Sequence, residues 1–337
     1  MPPDPVPLHP ARSAAGVVLQ DIAQYVREFT PTGEAAYQGA RLVLRDALGR
    51  AFRALHSPAC RPFIGPIVRG ATMPGGARVP GTSFELDPVQ AAFSLGILFG
   101  AAEREAGSAA DRHHPADALA AILALSDHLA RRARMEGRRP ATVRELLTAL
   151  VKACEIRGTL AFGSPALQAS EQCATAARAA AAAVATGLLG GSAAQIVGAL
   201  DSAIDDDGPT PRGGPAASRA VYTTADVASR GLQFALLAMQ PGASDSAAPG
   251  PRRRPLAGLP SGQRAARLVR PLGSHVIESL AREVYGAPQP LIGQRFAGSV
   301  AAHFPANRVP AILGLFARLD ELDTLAVNEF VAQLVTN

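Results

Sequence analysis

Tryptophan is absent from this 337-residue chain, aromatic residues make up only 5% of it, and lysine occurs once, at Lys152. Three cysteines, Cys60, Cys154 and Cys173, are too few and too scattered for a disulfide framework. They could in number ligate an iron–sulfur cluster with one open iron. No C-x-x-C pair supports that, and Cys154 and Cys173 fall within predicted helices. No window holds about 18 consecutive strongly apolar residues; the richest, 174–189, is mostly alanine. No membrane span is therefore expected. The opening MPPDPVPLHP lacks a basic start followed by an apolar run, so no signal peptide is read there and the expected compartment is the cytoplasm. There is no G-x-G-x-x-G after a strand, no P-loop and no G-x-S-x-G elbow, so nucleotide binding and acyl transfer have no support. The net charge of +5 rests on arginine, notably Arg131, Arg132, Arg134, Arg138 and Arg139 and the run Arg252 to Arg254. Neither cluster is interleaved with aromatics. They read as a solvated helix face and a basic linker, and a nucleic-acid partner is not expected.

What the chain has in abundance is alanine, the best helix former, and little that would build strands. Apolar residues recur at helical spacing over 13–29, 33–55, 89–106, 116–136, 142–160, 167–189, 192–204, 217–239, 274–283, 291–303, 306–319 and 324–335. Asp87-Pro88 marks a helix start, with Asp as cap and Pro in the first turn. Thr142 with Glu145 has the capping-box pattern. Nothing reads as a strand of any length. Short connections between successive helices imply antiparallel neighbours, hence an all-α, multi-helix bundle. Residues 1–12 read as a proline-rich disordered tail, 13–239 as the helical domain, 240–270 as linker, and 271–337 as C-terminal helices packing back.

One stretch, 57–93, is neither alanine-rich helix nor filler. Prolines and glycines break it before a helix can form. Short apolar pieces (Phe63-Ile64, Pro66-Ile67-Val68, Val79-Pro80) are expected to pin it to the core. Loops this long in a compact domain tend to be functional or disordered, and the pins favour function. Chemistry-bearing residues are sparse. Glu103 and Glu105, followed by His113, His114 and Asp117, place carboxylates and imidazoles within a short span. Histidine titrates near neutrality and suits general acid–base work, with a carboxylate to orient it. H-H-P-A-D has no strong metal spacing, so no metal is assigned. The run Asp205-Asp206-Asp207, with Arg212 and Arg219 nearby, reads as a solvated turn. Lys152 invites a Schiff-base role as the sole lysine, but an ordinary exposed lysine is the simpler reading.

The pattern PAC-x-x-x-x-GPIV-x-G-x-x-x-P-x-GARVPGT-x-F-x-LDPVQAAF, from Pro58 to Phe93, resembles the MmgE/PrpD superfamily, in its 2-methylcitrate dehydratase branch. HPAD at 114–117, KACEIRG at 152–158, ADVASRGLQFALLAM from Ala225, RPLGSHVIESL from Arg270 and the closing RFAGSVAAHFPANRVPAILGLFARLDELDTLAVNEFVAQLV add to it in order. The resemblance implies an all-α main domain, a smaller α+β lid before the C-terminal helices, and a homodimer. It implies a hydro-lyase of the methylcitrate cycle, in propionate breakdown, that converts 2-methylcitrate to 2-methyl-cis-aconitate without a metal or other cofactor. The substrate would be a small tricarboxylate. His114 and Glu103, with Asp117, would be the catalytic candidates, and Arg219 and Arg230 would bind substrate carboxylates, since guanidinium pairs with carboxylate bidentately. Three departures follow. The lid is largely missing, because Glu283 passes quickly into the C-terminal segment. The Asp-rich aromatic motif expected before HPAD reads Gly100 to Ala106, with Glu103 able to stand in for one Asp. The cation expected after KACEIRG is absent, and the lysine expected before ADVASR is Ala220 beside Arg219. The alternative implied is an inactive relative serving as a helical dimerisation or scaffold protein.

Overall fold

The computed structural model describes residues 14–101, 116–162, 170–206, 216–242 and 289–336. Twelve helices occupy most of them: α1 (Ala14–Glu28), α2 (Glu34–Ala54), α3 (Pro88–Ala101), α4 (Ala116–Met135), α5 (Val143–Phe162), α6 (Ser170–Leu188), α7 (Ala193–Asp205), α8 (Ala216–Ala238), α9 (Gln289–His303), α10 (Val309–Leu315), α11 (Leu319–Thr324) and α12 (Val327–Ala332). The all-α bundle expected from the alanine content is the fold. The predicted tail 1–12, the helix 274–283 and most of the linker 240–270 lie outside the described residues.

Helix α3 is the centre. It is apolar around its whole circumference, so it buries Ala91, Leu95, Ile97, Leu98 and Phe99 on every side. The Asp87 carboxylate starts it by accepting from the amides of Val89 and Gln90 at 3.0 and 3.1 Å. It lies against α4 and α8. The approach to α8 needs a glycine: a Cβ on Gly96 would sit 2.4 Å from the Ala225 Cα. The unbroken alanine face of α6, from Ala179 to Ala183, is likewise buried.

The 57–93 stretch holds the one small sheet among the described residues, where the sequence pattern predicts no strand. Strands β1 (Ala77–Arg78) and β2 (Glu85–Leu86) pair antiparallel, Ala77 opposite Leu86. Two-residue strands carry no periodic signal. Their pairing is braced instead by Arg78, bound to Asp127, and by Arg131, bound to Gly76 and Glu85. The expected pins need correcting. Ile67 and Val68 are 80% and 70% exposed, whereas Cys60, Ala77, Val79 and Leu86 are the side chains that reach the core. Of the expected apolar ties, Val79 and Pro80 are buried and Ile64 packs half-buried against the core.

The C-terminal segment closes over this stretch and over α2. Phe296 of α9 packs on Phe52, and Gly81 (φ +81°) donates from its amide to the Leu334 carbonyl at 2.6 Å. The amides of Val143 and Val327 donate to Leu325 and Ala141, forming an isolated antiparallel bridge at Thr142 and Ala326. That bridge holds Leu325 and Ala326 extended. In place of the predicted helices 306–319 and 324–335 there are three shorter ones, α10, α11 and α12, and the bridge separates the last two. Arg41 pairs with Asp323 through two contacts, Nε at 2.9 Å and Nη2 at 2.5 Å, joining α2 to α11.

Candidate functional site

Asp117 occupies the first turn of α4, three residues after His114. Its Oδ2 meets the Arg157 Nη2 of α5 at 3.2 Å, and its Oδ1 accepts from the Thr224 hydroxyl of α8 at 3.2 Å. Arg157 and Thr224 are buried, and Asp117 keeps 15% of its side chain in solvent. Three helices thus contribute one residue each to a polar group at the end of the bundle from which the 102–115 segment leaves. Beside it, burial pushes the Cys154 thiol up to about 12. The Glu155 and Asp117 carboxylates add to that rise and Arg157 opposes it. Cys154 is therefore a buried, protonated thiol, not a nucleophile.

Two residues further along α8 begins a second polar group. Arg178 of α6 donates to the Ala203 carbonyl at 3.0 Å and the Asp206 carbonyl at 2.7 Å, and lies 3.5 Å from the Asp206 carboxylate. Arg230 donates from Nε to Asp206 at 2.7 Å and pairs with it again through Nη2. Asp226 lies at 3.9 Å from Arg178 and 4.0 Å from Arg230. Burial raises the Asp226 carboxyl above the usual range; Arg230 and Arg178 pull it down and the Asp206 charge raises it. Asp206, expected in a solvated turn, is instead nearly buried and shared by two guanidiniums. An acidic run conceals this because the partners lie 28 and 24 residues away in sequence.

The residues that the sequence nominates fall as follows on this frame. Asp117 and Arg230 are both on it, but in different groups: Asp117 with Arg157, Arg230 with Asp206. Arg219 lies in the first turns of α8, and its side chain is outside the described ones. Glu103 and His114 lie outside the described residues, as do Asp207 and Arg212. Arg157, Arg178 and Thr224 are not singled out by the sequence pattern. Arg157 sits three residues after Cys154 on a buried helix face, a spacing that places an arginine inward and calls for a counter-charge. The 57–93 stretch borders this end of the bundle: the Tyr222 ring of α8 packs edge-on against Phe63 at 4.9 Å, two residues before Thr224. Among the described residues, no three His, Cys, Asp or Glu side chains gather as a metal site, and no helix is long and apolar enough to cross a membrane. The arginine cluster in and just after the last turns of α4 is solvent-facing at Arg132, Arg134, Arg138 and Arg139, while Arg131 turns in to Glu85.

An all-α bundle with buried Arg–Asp groups at one end defines a helical, carboxylate-rich scaffold; comparison with known proteins gives its family. Residues 20–248 match the MmgE/PrpD N-terminal domain, and the chain belongs to that family. It is 34% identical over 269 residues to the 2-methylcitrate dehydratase of Escherichia coli (strain K12), covering 78% of this chain and 55% of that protein. It is 38% identical over 225 residues to the 2-methylcitrate dehydratase of Cupriavidus necator, covering 66% and 46%. An alkylcitrate dehydratase of Talaromyces stipitatus is 40% identical over 149 residues, covering 42% and 31%. The chain spans about half the length of the curated relatives it matches in the bacteria.

Proposed function

We propose that the chain is a 2-methylcitrate dehydratase-like hydro-lyase, taking 2-methylcitrate to 2-methyl-cis-aconitate in propionate catabolism. The observation that carries the reading is its similarity, across most of its length, to proteins named 2-methylcitrate dehydratase. Elimination of water needs a base for the proton α to a carboxylate, an acid for the departing hydroxyl, and cations for the substrate carboxylates. His114 and Glu103 are the acid–base candidates. Asp117, three residues on from His114 in sequence and fixed at the start of α4 by Arg157 and Thr224, is the third. Arg219 is the candidate clamp for a substrate carboxylate. Arg230, already committed to Asp206, would act on substrate only by exchanging that partner. A homodimer in the cytoplasm is the assembly this reading carries.

A second reading is favoured by the short segment between α8 and α9, where the family's lid is expected, and by Gly100 to Ala106 in place of an Asp-rich motif. It makes the chain an inactive helical scaffold. Incubation of the purified protein with 2-methylcitrate, followed by ultraviolet absorbance of the unsaturated product, separates the two. Turnover above buffer supports the hydro-lyase. A folded protein without turnover overturns it in favour of the scaffold.

A further inference from the structure

The single lysine of the chain is not an exposed surface residue. Lys152, in mid-α5, is half-buried, and its Nζ donates to the Val26 carbonyl at 2.7 Å. Among the described residues no carboxylate reaches it. Several inward arginines have a carboxylate partner, whereas Arg45 and Arg308 have rings or carbonyls. Arg41 meets Asp323, Arg78 meets Asp127 and Arg157 meets Asp117. Arg45 lies over the rings of Phe296 and Phe316, and Arg308 donates to two backbone carbonyls. An ammonium has three donors, so one carbonyl leaves Lys152 two. Removing a cation partly from water without a counter-charge is costly, and burial accordingly lowers its pKa.

Lys152 lines a cleft of about 630 Å³ bounded by the end of α1, one face of α5, the end of α6 and the start of α7. Half-buried Leu188 gives it an apolar wall, with the largely buried Val26 and Val184 behind. Its charged lining is Lys152, Arg27 and Glu145. Both Glu145 oxygens are already held by Arg139 at 2.7 and 3.0 Å. The α7 start, whose Ser192 and Gln195 close a reciprocal capping box, also lines the cleft and brings the positive end of a helix dipole.

We propose that this cleft is a binding site for a small aliphatic monocarboxylate. The carboxylate accepts from Lys152, and the hydrocarbon chain lies along Leu188. The site lies on a different face of α5 from Arg157 and does not depend on the dehydration reading. A free phosphate shares the anionic head but offers nothing to the apolar wall.

The sole lysine makes the test direct. Full-length protein grown with 15N-lysine has one side-chain ammonium resonance, and that resonance is followed on titration with hexanoate, butyrate or inorganic phosphate. Hexanoate is expected to shift it saturably and butyrate more weakly, with phosphate leaving it in place. Calorimetry on Lys152→Met is expected to show hexanoate binding weakened at least about tenfold, the loss of one charge-assisted hydrogen bond. Hexanoate that leaves the resonance unmoved up to about 10 mM, beyond the range where a millimolar site fills, overturns the site. Phosphate that shifts it as strongly as hexanoate overturns the ligand class. Unchanged hexanoate affinity in Lys152→Met overturns the role of the lysine. Should that variant not fold, the resonance of the native chain decides alone.

Discussion

Two buried Arg–Asp pairs show how one chemistry serves two ends. Asp127 on α4 is fully buried and takes three hydrogen bonds from Arg78: the backbone amide at 2.9 Å, Nε at 3.1 Å and Nη2 at 2.6 Å. Arg78 adds a bond to the Asn328 carbonyl at 2.6 Å, so the pair fastens β1, α4 and α12 together. Asp117 on the same helix meets Arg157 and Thr224 at 3.2 Å each and keeps a solvent edge. The first pair is saturated and closed, which suits a clasp between sequence-distant pieces. The second is longer, at a helix start, and next to the segment that carries His114. A closed pair holds the fold, and an open pair leaves a carboxylate able to respond to what comes beside it.

Asp127→Ala gives the largest expected loss. It strands the Arg78 guanidinium in the interior, a change that costs about 3–5 kcal/mol; urea unfolding measures it, and a loss under about 1 kcal/mol breaks the contrast between the pairs. Next comes Gly96→Ala, which drives a methyl into the Ala225 backbone and forces α3 from α8, costing about 1–3 kcal/mol by the same measurement.

Acid stability sharpens the comparison further. Burial raises the Asp323 carboxyl, but the hydrogen bonds and charges of Arg41 and Arg144 outweigh it, and the net pKa lies below the usual value. Its folded pKa is thus below the unfolded one. The stabilisation is complete above about pH 4 and fades as pH falls through the folded value. Asp127 shifts the other way, because burial outweighs Arg78, so the native state holds its proton longer and stability declines as pH rises between the two values. Urea midpoints at about pH 3 and about pH 6 should therefore converge in Asp323→Asn relative to the native chain. The smallest effect is expected on the exposed arginines. Arg138→Ala, which removes a solvated partner of Glu136, should leave the melting temperature unchanged.

Most long helices are legible in the sequence because each buries a periodic stripe, and α3 because it is apolar all round; Asp87 and Thr142 announce two of the starts chemically. Helices α11 and α12 are separate, where the spacing predicts one helix from 324, because a backbone bridge to the α5 start holds Leu325 and Ala326 extended between them. The strand pair at Ala77 and Leu86 escapes sequence reasoning because two residues carry no alternation. At the site, Asp117 is readable from HPAD, yet Arg157 and Thr224 come from helices 40 and 107 residues away, joined only by packing. Lys152 reads as exposed because nothing in its sequence neighbourhood shows that α1 ends over it.

The central contrast is tested most directly by turnover of 2-methylcitrate in Asp117→Asn against the native chain, with melting temperatures taken in parallel. Asn keeps the Thr224 contact and the shape but removes the charge. The expected result is a fall in turnover of about 100-fold, the scale of one positioned acid–base group, while the variant still melts cooperatively well above the assay temperature. Native-like turnover in Asp117→Asn would contradict it and make the Asp117–Arg157 pair a second clasp of the Asp127 kind.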